Sequence, residues 1–161
     1  MTKKERKKIM NLCPRKSVGA IITDDEGKYL CLYRKGKDEN DPTKGLAFVA
    51  GHLDWVDGEK TKLEYPKTAL VREGEEEVGV KIRSARLALH ETYPNPCGKG
   101  FDTHEWFVYW VTSYECQPIN LEPGKHEWIR FLTAYEIAEF VGRGDCDPAW
   151  SKHIWPALDL A

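Results

Sequence analysis

The sequence predicts an α+β fold with α/β/α layering, and three segments carry that expectation. Residues 28–34 alternate Tyr29, Cys31 and Tyr33 against Leu30 and Leu32, the period of a strand. Residues 66–78 open with Pro66 and continue with Ala69, Leu70 and Val71, which suits the first turns of a helix. Residues 106–111, Trp-Phe-Val-Tyr-Trp-Val, have the aromatic and β-branched content of a sheet interior. At 161 residues the chain is long enough for one domain with a substantial core and short for two.

Taken in order, residues 1–16 read as an N-terminal arm and 17–161 as a single domain. Val18 to Thr23 is β-rich, Asp24-Asp25-Glu26-Gly27 is a turn signal, and with Lys28 to Arg34 they predict a β-hairpin. A polar loop from Lys35 to Gly45 leads into one short apolar strand, Leu46 to Ala50. The helix from Pro66 meets a left-handed stop at Gly79. Ser84 to Thr92 and Glu105 to Tyr114 are strands joined by a loop containing Phe101, and Glu127 to Leu132 adds another. Thr133 is an N-cap for a short amphipathic helix to Val141, and Pro148 to Leu158 forms a further helix.

The composition, 41% hydrophobic and 31% charged, is that of a soluble globular protein, and no apolar run reaches the length of a membrane span. A net charge of −2 argues against general nucleic-acid binding. The basic cluster Lys3, Lys4, Arg6, Lys7 and Lys8 reads as a solvated tail, and no apolar signal segment follows it. Five cysteines without a C-x-x-C pair favour a reducing, cytoplasmic setting with neither a disulfide framework nor a zinc site.

Four carboxylates, Glu73, Glu75, Glu76 and Glu77, crowd into five positions near the end of the central helix. A helix C-terminus favours cations by about 0.3–1 kcal/mol each, so the dipole opposes them. Glu73, Glu76 and Glu77 share a face through i,i+3 and i,i+4 spacing. At about 5–6 Å apart, two such charges repel by about 3 kcal/mol at an effective dielectric near 20. A single Arg72 cannot neutralise three. Oxygen ligands at this density suit a hard cation, Mg²⁺ or Mn²⁺.

The surrounding pattern, G-x5-E-x7-R-E-x-x-E-E-x-G plus an apolar residue, fixes eight positions over the twenty-three residues 58–80. It resembles the Nudix box of the Nudix (MutT-like) hydrolase superfamily. That resemblance sharpens the fold to a mixed β-sheet flanked by helices. It implies a Mg²⁺- or Mn²⁺-dependent pyrophosphohydrolase that cleaves a phosphoanhydride in a nucleoside diphosphate-linked substrate by water attack at phosphorus. Carried onto matching positions, Glu73, Glu76 and Glu77 are the metal ligands, Arg72 orients them, Glu64 supports Arg72, and Gly58 and Gly79 shape the helix ends. Glu76 and Arg72 then belong to the catalytic set. In MutT-type members an acidic residue five positions before a Glu-Trp dipeptide faces the metal, and Glu122 matches it, as base or further ligand. A turn acid beside Pro123-Gly124 is the other reading of Glu122, and Glu127, Glu105 and Glu91 are reserves.

Arg34 could hold a terminal phosphate through its fork of donors, or be a solvated edge residue. His52, His104 and His126 are candidate phosphate contacts, and Tyr93, Phe101 and Trp128 candidate stacking surfaces for a base, although aromatics at strand spacing are usually core. Two features depart from the family pattern. Gly74 stands where an apolar residue normally packs the helix, at a cost of about 1 kcal/mol in helix propensity. Upstream, Ala50-Gly51-His52-Leu53-Asp54 looks like the stretch that normally precedes the helix, which makes Gly51 the first box glycine and leaves Gly58 a coincidence within a seven-residue insertion containing Trp55. The apolar run before it favours Gly51. A non-catalytic nucleotide or metabolite sensor is the alternative reading, although such domains generally lose box acids and none is missing here. The substrate is left open, with a nucleoside triphosphate as the default, and a homodimer is compatible with everything above.

Overall fold

The computed structural model describes residues 11–97 and 99–160, so the basic cluster Lys3–Lys8 lies outside the described residues. Among the described residues there are seven strands: β1 (Ser17–Ile21), β2 (Tyr29–Arg34), β3 (Gly45–Ala47), β4 (Val49–His52), β5 (Lys81–Tyr93), β6 (His104–Glu115) and β7 (His126–Leu132). They form a four-stranded sheet in the order β4-β1-β6-β5 and a three-stranded sheet in the order β3-β2-β7. The first is mixed, because β1 runs parallel to β6 and antiparallel to β4. The second is antiparallel throughout. Helix α1 (Pro66–Val78) lies between β4 and β5 in the chain. Helix α2 (Ala134–Gly142), a π-helical turn (Ala149–Ile154) and the short α3 (Trp155–Ala157) close the chain.

β1 shows why the layers stack as they do. All five of its residues are buried, so neither face meets water. Val18 and Ala20 join a cluster with Leu70 and Val78 of α1, whereas Ile21 joins Phe48, Trp150 and Trp155 beneath the C-terminal helices. Period-two alternation therefore sends successive side chains into two separate cores, which is what α/β/α layering requires. At Gly19 the strand passes so close to Trp150 that an added Cβ would lie 2.6 Å from the indole.

Two expectations from the sequence need correction. The hairpin forms only at its turn, where Gly27 adopts φ 75°, Leu30 N–H donates to the Ile22 carbonyl at 2.8 Å and Thr23 bridges Tyr29. Beyond it the strands part into different sheets, because long-range partners take both edges of β1. The single apolar strand over 46–50 likewise divides at Phe48: β3 pairs with β2, and β4 pairs with β1. Residues 12–16 of the arm pack on the domain. Leu12 bridges Thr103, Cys13 is buried, and Arg15 donates to the Leu53 carbonyl and pairs with Asp54. Helix α2 begins at a complete capping box, in which Thr133 Oγ1 accepts from the Glu136 N–H while Glu136 Oε1 accepts from the Thr133 N–H. Among the described residues, no helix is long and apolar enough to cross a membrane.

The tight approach at Gly19 yields a direct expectation. Trp150 is fully buried and its ring cannot swing aside, so Gly19→Ala should cost about 1–3 kcal/mol in urea unfolding. An unchanged midpoint would show that the indole has room to move.

Candidate active site

Helix α1 buries Ala69, Leu70, Gly74, Glu77 and Val78, one stripe at helical spacing. A carboxylate thus occupies a place where the pattern calls for an apolar side chain. Gly74 lies on the same stripe, and a Cβ there would sit 2.8 Å from Ile82 Cδ1 and 3.4 Å from the Val80 carbonyl oxygen. Its missing side chain is what lets the helix lie close against β5. The helix ends at Gly79, left-handed at φ 68°, where the N–H groups of Gly79 and Val80 donate to the carbonyls of Glu75 and Gly74, each at 3.1 Å. Those bonds satisfy carbonyls at an end that has no basic residue in its last turn.

Arg72 gathers the acids around it. Its Nη2 donates to Glu64 Oε1 at 2.5 Å and to the His52 carbonyl at 3.0 Å, and its Nη1 donates to Glu73 at 3.0 Å and Glu76 at 3.1 Å. Its Nε lies 3.3 Å from Asp54 Oδ2. Glu64 also accepts the Asp54 N–H at 2.8 Å. Burial pushes the Glu64 carboxyl up, but these hydrogen bonds from Arg72 and Asp54 outweigh it and hold the group below its usual range. The bond to Glu64 also holds the Arg72 guanidinium above its ordinary pKa.

Glu77 lies beyond that fork. Its side chain is 5% exposed, Oε1 is 3.2 Å from His126 Nε2, and Oε2 is buried without a hydrogen-bond partner. Burial pushes the neighbouring Glu73 carboxyl up to about 7; the Glu77 charge adds to that rise and Arg72 opposes it. Glu73, Glu77 and Glu122 line one cleft of about 570 Å³. Arg15, Arg34, Lys37 and Lys125 line it too, interspersed with Asp41 and Asp147. Crowded carboxylates and an orphaned buried oxygen are what a hard divalent cation relieves, and this all-oxygen donor set fits Mg²⁺ or Mn²⁺.

The NUDIX domain family model matches residues 14–147, which includes this helix and cleft. The chain belongs to the NUDIX domain family. Among solved structures it is similar to a MutT NUDIX hydrolase from Burkholderia pseudomallei, at 26% identity and TM-score 0.60, over 75% of this chain and 84% of that one. The Escherichia coli ORF135 protein shares the fold at 20% identity and TM-score 0.59, over 81% and 80%. So does an Ap4A hydrolase from Caenorhabditis elegans, at 17% and TM-score 0.52, over 78% and 84%. No curated protein matches the chain.

Within this NUDIX domain the two glycine alignments differ physically. At Gly51 an added Cβ would collide with the Glu73 carboxylate, whereas at Gly58 nothing lies within 4 Å. Gly51, at the end of β4, is thus the glycine that lets the helix acid approach the strand. Gly58 belongs to an exposed turn near the Trp55–Leu63 bridge, away from the cleft.

The other candidates divide. Glu122 lines the cleft and pairs with Lys125 at 2.8 Å. Arg34 lines it as well, with Nη1 committed to buried Asp147 at 2.9 Å. His52 reaches the cleft wall, and burial, then the nearby Arg15 charge, lower its pKa to about 4. Glu76 is not among the cleft-lining residues; it shares Arg72 Nη1 with Glu73 and borders a second depression with Lys67 and Glu75. Three aromatics expected against a base are not among the cleft-lining residues. Tyr93 stacks on His153 at 4.9 Å, Trp128 stacks on Tyr33 at 5.3 Å, and Phe101 lies in the β5–β6 connection. Core and surface packing claims them first, as the strand spacing allowed. Glu105 is paired with His90, and Glu91 and Glu127 are exposed outside the cleft.

Sequence reasoning passed over Asp54, which bridges Arg15 and Arg72, and the pairing of His126 with Glu77. It also passed over the convergence of Cys13, His52, Cys97 and His104, whose ligand-type atoms lie within 4.8 Å of one another. No local spacing announces that group.

Two measurements follow from this geometry. Gly51→Ala should displace the Glu73 carboxylate and depress hydrolase activity at least about tenfold, while Gly58→Ala should be within about 0.5 kcal/mol of the parent in stability and unchanged in activity. Equal activity of the two variants would refute the packing argument. Second, a carboxyl whose folded pKa is raised to about 7 is destabilising once ionised. Without metal, thermal stability should therefore fall as pH rises from near 4.5 through 7, and the Glu73→Gln variant should flatten that decline.

Proposed function

We propose that this chain, a Nudix pyrophosphohydrolase, cleaves a phosphoanhydride of a nucleotide with Mg²⁺ or Mn²⁺ held by Glu73, Glu76 and Glu77. The single observation that carries the reading is the buried, unpartnered oxygen of Glu77 beside Glu73 on the cleft wall. The similarity to proteins named MutT and Ap4A hydrolase supports a nucleotide substrate, and a nucleoside triphosphate is the first to try.

The roles follow from the contacts. A divalent ion bound to the carboxylates would neutralise phosphoryl oxygens and acidify attacking water. Arg72 fixes the carboxylates of Glu73 and Glu76 and ties them to Glu64 and the β4 carbonyl, so little reorganisation is left for the reaction. Arg15, Lys37 and Arg34 offer cationic partners for the polyphosphate. Glu122, which lines the same cleft and pairs with Lys125, would accept a proton from water as the new O–P bond forms and the bridging P–O bond breaks. The sensor alternative finds no support in the box, which keeps every acid.

Glu77→Gln tests the assignment. Mg²⁺-dependent release of phosphorylated product should fall by about 10²–10³ while circular dichroism and melting temperature hold or rise, since a buried charge is removed. Full turnover by this variant over a panel of nucleoside di- and triphosphates, nucleotide sugars and dinucleotides would overturn it. Glu76→Gln should also lose turnover, and if it does not, that residue leaves the metal-binding set.

A further inference from the structure

We propose that Cys13, His52, Cys97 and His104 bind one zinc ion in a structural Cys₂His₂ site on the wall of the same cleft as the carboxylates, with a donor set distinct from theirs and independent of the catalytic reading. Two thiols and two imidazoles come from four different places: the segment before β1, the end of β4, the β5–β6 connection and the first residue of β6. Their ligand atoms lie within 4.8 Å of one another. A tetrahedral zinc with bonds of about 2.0–2.3 Å has ligand–ligand edges of roughly 3.3–3.8 Å, so the cluster needs to contract by at most about 1.5 Å.

The hydrogen bonding points to a missing partner. His104 is 1% exposed, and its Nε2 is buried with no hydrogen-bond partner; His52 Nε2 is orphaned in the same way. A buried polar group left without a partner is destabilising, and here two belong to one cluster. His104 Nδ1 lies 2.8 Å from the Asn95 carbonyl, and only a protonated Nδ1 can donate to that oxygen. This tautomer leaves the Nε2 lone pair free for a metal, the arrangement that orients metal-binding histidines. Asn95 is itself buried and held by Trp106 Nε1, which donates to its Oδ1 at 3.1 Å.

The competing chemistry explains less. A Cys13–Cys97 disulfide would consume both thiols and leave both imidazole nitrogens orphaned, whereas one soft divalent ion satisfies all four groups, displacing the two thiol protons as it binds. The donor set also excludes exchange with the catalytic cation, which seeks oxygen. Zinc here would tie down the β5–β6 connection, which contains no helix or strand among its described residues. It would also hold His52, whose carbonyl accepts from Arg72 and whose predecessor Gly51 packs on Glu73.

The test uses the full chain, purified reduced and without chelator, and then loaded with zinc alone. Elemental analysis should find about one zinc per chain, and cobalt substitution should give the intense visible bands and thiolate charge transfer of a tetrahedral sulfur-ligated ion. Cys97→Ser alters a partly exposed loop residue and should stay folded by circular dichroism, lose most of its zinc and expose the 94–103 connection to protease. The Glu73→Gln, Glu77→Gln double variant should keep its zinc in full, which separates this site from the carboxylates. Failure of the parent to take up zinc against a chromophoric chelator, an octahedral cobalt spectrum, undiminished zinc in Cys97→Ser, or a Cys13–Cys97 disulfide by mass would each overturn the proposal.

Discussion

The arrangement around α1 depends on the guanidinium of Arg72. A planar cation with five donors can serve several acceptors at fixed angles, and here it serves Glu64 and Asp54 from the loop before the helix, Glu73 and Glu76 from the helix, and a carbonyl of β4. A lysine, with its point charge on a flexible stem, could not span that set. The fork joins three chain segments at one point and leaves Glu77 outside its reach.

That exclusion divides the acids by environment. Glu64 is bonded and ionised easily, whereas Glu73 resists ionisation because it is buried beside Glu77. Glu77 itself sits on the packed stripe of the helix, where a charge is tolerated only with a partner. One short stretch of helix therefore holds carboxylates that differ in their readiness to accept a cation. Arg15, Lys37 and Lys125 line the same cleft, so cationic groups stand within reach of these acids.

Much of this was legible in the residues. The spacing of Arg72, Glu73, Glu76 and Glu77, the Pro66 start and the Gly79 stop all express local helix geometry, which sequence records directly. Local turn chemistry was legible too, at Asp24–Gly27 and at the Thr133 cap. Whatever depends on distant partners was not. The hairpin failed because β1 finds β6, more than eighty residues on, and the aromatics Tyr93 and Trp128 were claimed by neighbours from other elements. The apolar run before Gly51 already favoured it over Gly58, but the physical reason, its contact with Glu73, is one that no spacing rule contains. The Cys13, His52, Cys97 and His104 group was invisible for the same reason, since the absence of a C-x-x-C pair says nothing of ligands assembled by topology.

The division of one extended segment at Phe48 has a mechanical meaning. Its first half belongs to one sheet and its second to the other, and Phe48 itself is fully buried against Trp150 and Trp155. The cleft wall at Gly51 is thus the far end of a girder anchored in both halves of the molecule. Loosening it would also strain the tryptophan-rich packing at Phe48, so the seat of the helix acids is braced from both sheets at once.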